Sequence, residues 1–141
     1  MSDDERRGFV TKITNLMYVS FILWFIVIGL QLIIGIITAV MGYGVMTLIL
    51  MVHNILANIR YYKNIQIIKN YSSKEDMVYL VEYFENSIKP GWIFTVLNLV
   101  LGGLIGVVGS VYDLILAYYV KGKKGILLAE FPETIISEET Y

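Results

Sequence analysis

The chain has 141 residues, 57% of them hydrophobic and only 16% charged, with no cysteine, one histidine and a formal charge of -1. A soluble domain carries about 45–50% apolar and about 25% charged residues, so the composition points to lipid. Without cysteine there is no disulfide framework, thiolate metal site or Cys nucleophile; one histidine excludes multi-His metal sites, and the near-neutral balance offers no basic face for nucleic acid.

From Ile13 to Ile59, 47 consecutive residues lack Asp, Glu, Lys and Arg, and from Pro90 to Val120 Asp113 is the sole charge in 31 more. About 20 apolar residues cross a bilayer as a helix. The expected class is therefore an all-α integral membrane protein in one membrane domain over 1–141. A straight helix of the first run would be ~70 Å long against ~30 Å of hydrocarbon, so it must double back. Gly42-Tyr43-Gly44 is the expected bend, because glycine accepts the positive φ that tight turns need. Helix 1 then ends near Met41 and helix 2 runs from Val45 to about Ile59. Gly109-Ser110 is expected to divide the second run in the same way, into helices over about 92–108 and 111–120.

Residues 30–42 align without gaps with 97–109, with Gln31 opposite Asn98. The expected fold is thus four transmembrane helices as two related helical hairpins, about 13–60 and 91–120, with a linker over about 61–90 and a mobile tail from 121. The linker carries Ser73-x-x-Asp76, a capping-box spacing, followed by Met77, Leu80, Val81, Phe84 and Ile88 on one helical face. Pro90 is expected to stop that amphipathic helix. All eleven Lys and Arg lie before helix 1, in the linker or after helix 4. Cytoplasmic loops carry such an excess, which places the N-terminus, the central segment and the C-terminus in the cytoplasm of a multi-pass cell-membrane protein. Trp24, Tyr61, Tyr62, Trp92, Tyr118 and Tyr119 are expected in the inner aromatic belt, and Tyr43 and Tyr112 in the outer one.

Few residues can carry chemistry. Asp113 is an intramembrane carboxyl, by default a functional-site candidate, and Ser110-x-x-Asp113 also has the spacing of a helix cap. His53 suits either an interhelical hydrogen bond or a titrating relay, with Asn54 beside it. Gln31 and Asn98 are expected to bond across the bundle. Gly35-x-x-x-Ala39 and Gly102-x-x-x-Gly106 give small faces on which helices approach closely. No catalytic residue, metal ligand or cofactor is expected.

With its bend at Gly109, helix 4 would be only ten residues, ~15 Å, half of what spanning requires. A partly inserted hairpin with both ends on one side resembles, in architecture only, the wedge hairpins of reticulon-type membrane-shaping proteins. Two functions follow as expectations. One is a non-enzymatic structural, assembly or accessory protein that forms homo-oligomers or joins a larger membrane complex, with a membrane-shaping effect. The alternative is a small oligomeric transporter or channel with Asp113, His53 and the Gln31/Asn98 pair as its polar path.

Overall fold

A computed structural model describes residues 1–129 of the chain. The described residues are helical, without strands: α1 spans Asp3–Thr38, α2 Tyr43–Ile68, α3 Lys74–Leu97, α4 Gly103–Gly122 and the short α5 Lys124–Leu127. Three stretches are long and apolar enough to cross a membrane: Asp3–Met41, Gly44–Ile68 and Leu104–Gly122. The expected tail over 130–141 lies outside the described residues; 121–129 does not behave as a tail, since α4 continues to Gly122, and Leu127 at the end of α5 and Leu128 after it are buried.

α1 opens on a capping box in which Ser2 and Glu5 satisfy each other's backbone N–H groups. It ends in a 3-10 turn, Ala39–Met41, and the chain reverses at Gly42, whose φ of +82° is left-handed. The bend expected there is present, for the stated reason. Gly44 then lies directly on the backbone of α1: a Cβ on it would stand 2.6 Å from the Ala39 Cα and closer still to the Gly35 carbonyl oxygen. Gly35 meets Leu48 from the same contact. Both small residues thus allow α1 and α2 to touch main chain to main chain.

The second bend is not where the repeat alignment placed it. Gly109 and Ser110 lie well inside α4, and the reversal occurs across a π-turn at Asn98–Gly102 followed by Gly103. Two adjacent glycines are the weakest helix formers in that run, whereas Gly109 is required for packing: a Cβ there would be 2.8 Å from the Trp24 ring. The shift lengthens α4 to 20 residues, about 30 Å of helix, and removes the short-helix difficulty. Pro90 also fails to stop α3. Its ring removes the hydrogen bond that the Asn86 carbonyl would accept, yet the helix continues through it to Leu97, so the amphipathic segment and the start of the second apolar run form one element.

Two zones differ in how they meet solvent. Where the N-terminal half of α1, the ends of α2 and α4, the start of α3 and α5 converge, Ile13, Met17, Ile65, Met77, Leu80 and Val120 are fully buried in one core. Each such side chain contributes about 1.5–3 kcal/mol against water. Toward the bends the pattern inverts, with Ile37 70%, Leu104 75% and Val40 96% exposed while Gln31 and Asn98 are at 0%. Apolar outside and polar inside is the arrangement lipid imposes.

α3 begins with the capping box expected at Ser73: its hydroxyl accepts from the Asp76 N–H at 3.1 Å, and the Asp76 carboxylate accepts from Ser72 and Ser73 N–H at 2.8 Å each. Partial burial raises the Asp76 pKa, but those backbone and hydroxyl bonds outweigh it and hold it below the usual carboxylate value. A depressed folded-state pKa adds stability above the unfolded value and loses it as pH falls through the folded one. Asp76→Asn is therefore expected to cost about 1 kcal/mol at neutral pH, read as a lower melting temperature in detergent, and the gap from the wild type should close below about pH 4.

Candidate functional site

Helical spacing collects the polar residues. On α1, Ser20, Trp24 and Gln31 follow at i, i+4 and i+11 on the face that also buries Met17, Val27 and Gly35; on α2, Thr47, Asn54 and Asn58 share the face of Leu50 and Ile65. These stripes face one another and α4, so the side chains least suited to lipid partner each other.

Nearer the bends is an amide cluster. Gln31 Nε2 donates to Asn98 Oδ1 at 3.2 Å, and Asn54 Nδ2 donates to Gln31 Oε1 at 2.9 Å and to Asn98 Oδ1 at 3.3 Å. Asn98 Nδ2 donates to the Phe94 carbonyl at 2.9 Å and to Ser110 Oγ at 3.4 Å, and Ser110 in turn donates to the Gly106 carbonyl at 3.1 Å. Ser110 is therefore tied to its own helix and caps nothing. Gly106 makes room for the cluster, since a Cβ on it would stand 2.8 Å from the Asn98 Cβ. Gly102, the other half of that small-residue spacing, closes the π-turn, and the neighbouring Leu101 carbonyl accepts from Thr47 Oγ1 at 2.8 Å. Backbone that leaves the helix inside lipid needs such a partner. Gln31 and Asn98 do meet, but not through matching positions: Gln31 is mid-helix, whereas Asn98 begins the bend.

Less than one turn beyond Ser110 along α4 stands Asp113. It is the eleventh residue of α4, too far from the N-terminus to cap it. Its carboxyl accepts from Ser20 Oγ and, at 2.7 Å, from Trp24 Nε1. Trp24 thus turns its indole N–H into the bundle. Tyr112, expected at the outer interface, donates to the Leu16 carbonyl at 3.2 Å. Among the described residues no basic side chain forms an ion pair with Asp113.

Asp113 lines a chamber of about 210 Å³ between α2 and α3, with α4 and Trp24 completing it. Two side-chain bridges join α2 to α3 around it. His53 stacks on Phe94 with ring centres 4.9 Å apart, and Asn64 Nδ2 donates to the Tyr83 hydroxyl at 3.3 Å. Between the bridges, Ala57 and Asn58 on α2 face Ser87 and Gly91 on α3 across the cavity. Asn58 Nδ2 donates to the Phe21 carbonyl at 3.3 Å, while its buried Oδ1 has no partner among the described residues. The His53 Nε2 is likewise unpartnered, and His53 does not join Asp113. Nothing in the sequence isolates the chamber, but its polar members could have been grouped by placing the second bend at Gly102-Gly103, which brings Asp113 level with Ser20 and Trp24.

Compared with known protein families, curated proteins and solved structures, the chain matches none; what it can do must be read from this geometry.

Proposed function

We propose that the protein is a small non-enzymatic membrane protein whose Asp113 chamber binds a solute and passes it across the bilayer. Its four long helices form two hairpins in the membrane, with the N-terminus, the α2–α3 loop and the C-terminal end on the cytoplasmic side. The distribution of Lys and Arg supports that orientation. The second hairpin is the shallower: its bend contacts Thr47, five residues past Gly42 and so ~7 Å deeper along α2.

The observation that carries the functional reading is a carboxyl that has no basic partner among the described residues, beside a chamber between two helices that side chains bridge at its margins. An intramembrane ionisable group at a cavity is costly to keep and characteristic of substrate and ion pathways. The assembly reading has less behind it, because Gly35, Ala39, Gly44 and Gly106 meet atoms of their own chain and are not left as faces for a second copy. The test is solute flux in proteoliposomes, wild type against Asp113→Asn. Flux that depends on the carboxyl supports transport; equal flux, or none in either, removes it.

A further inference from the structure

We infer that the ligand of this chamber is a small organic cation, an ammonium group on an aromatic or short alkyl body, held between α2 and α3 against Asp113. The inference rests on the proposed reading of the chamber as a binding site and adds the chemistry of what binds.

The one carboxyl in the lining is that of Asp113, among the hydroxyl and amide groups of Asn54, Asn58, Tyr61, Tyr83, Ser87 and Ser110. A carboxyl group offers about four lone-pair sites, and Ser20 and Trp24 occupy two of those on Asp113. Asn58 is only 5% exposed; its donation to the Phe21 carbonyl fixes the amide, so the free end is Oδ1. The lining hydroxyls of Ser87 and Ser110 already donate, to the Phe84 and Gly106 carbonyls, and present lone pairs to other groups. An anion would meet repulsion from the ionised Asp113 carboxyl. A cation with N–H groups satisfies the remaining lone pairs of Asp113 and supplies the counter-charge that no basic side chain provides.

The walls agree with the charge. Trp24, Tyr61, Tyr83, Phe84 and Phe94 surround the space, and aromatic faces attract ammonium groups, most strongly where water is excluded. A bare metal ion fits poorly, since Mg²⁺ and Ca²⁺ require six or more oxygen ligands and the lining contains one carboxyl. Size sets the upper limit: a cavity of about 150 Å³ accepts benzene, so about 210 Å³ accepts a ring with a short amine arm.

The test uses the full chain in nanodiscs with Trp92→Phe, which leaves Trp24 as the one tryptophan and as a reporter beside Asp113. Phenethylammonium, 2-phenylethanol and phenylacetate, similar in size and different in charge, are titrated by Trp24 fluorescence and by calorimetry, with protein-free nanodiscs correcting for partition into lipid. Phenethylammonium is expected to bind at least about tenfold more tightly than the alcohol, with phenylacetate weakest. Asp113→Asn should erase the preference. Equal or tighter binding of the alcohol or phenylacetate would overturn the cation assignment while leaving a binding chamber in place. No heat and no fluorescence change with any probe would overturn both. Because the wild-type ranking alone decides, a variant that fails to fold does not rescue the idea.

Discussion

Gly44→Ala is expected to prevent α1 and α2 from closing, with loss of folded protein in detergent. The added methyl has no soft neighbour to displace: it meets the Gly35 carbonyl and the Ala39 backbone, with the Ala39 Cα at 2.6 Å. Overpacking against movable side chains costs about 1–3 kcal/mol; against two main chains the cost should reach or pass the top of that range. Gly29→Ala is the control. It lies mid-helix, where an added methyl would meet nothing within 4 Å, so removing glycine's entropy cost should leave stability unchanged or raise it by up to about 1 kcal/mol. Melting temperatures of the two variants should move apart. If both tolerate alanine equally, α1 and α2 do not make this backbone contact.

Asp113→Asn is expected to lower solute flux by about a hundredfold or more while the protein still folds. Asparagine has nearly the shape of aspartate and can still accept from Ser20 or Trp24, so the cluster survives with one weakened bond, an effect of about 1 kcal/mol. What disappears is the group that can carry a negative charge opposite a bound cation. Desolvated ion pairs are worth several kcal/mol when one partner is removed, enough for such a loss in a step that depends on the pairing. Asp113→Leu separates the two contributions, since it also leaves the Ser20 hydroxyl and Trp24 indole buried without an acceptor at about 1–3 kcal/mol each. Leucine should therefore abolish flux and also lower the melting temperature. If leucine alone harms the protein and asparagine transports normally, Asp113 only ties α4 to α1.

The sequence made some of this legible for physical reasons. A charge-free run of 47 residues cannot remain one straight helix in a bilayer, and Gly42 was the residue able to reverse it. Ser73 and Asp76 announced the start of α3, and Met77, Leu80, Val81 and Phe84 announced its buried face. Gln31 and Asn98 found each other because amides in hydrocarbon require partners. The second bend was obscured by its own chemistry: Gly109 looks like a turn, but it is small so that Trp24 can pack, and the apparent repeat drew the bend toward it. That displacement made Asp113 look like a helix cap and Tyr112 look interfacial. Pro90 misled in the usual direction, because a lone proline stops a helix only when nothing else holds the next turn. Trp24 could have been placed inside by noting that it shares a helical face with Ser20 and Gln31. His53 had no reading the sequence could choose, and its stacking on Phe94 depends on α3 running through Pro90.

The chamber itself can be tested by thiol chemistry, since the chain has no native cysteine. Ser87→Cys places a thiol on the cavity wall, and methyl methanethiosulfonate is small, neutral and soluble in lipid. In nanodiscs this cysteine is expected to react. Ala57→Phe, which fills the facing wall, should slow the reaction by about tenfold or more, whereas a lipid-facing Leu97→Cys should react equally with or without that substitution. A cysteine at 87 that stays unreactive, or one that Ala57→Phe leaves untouched, would contradict a solute-accessible space beside Asp113.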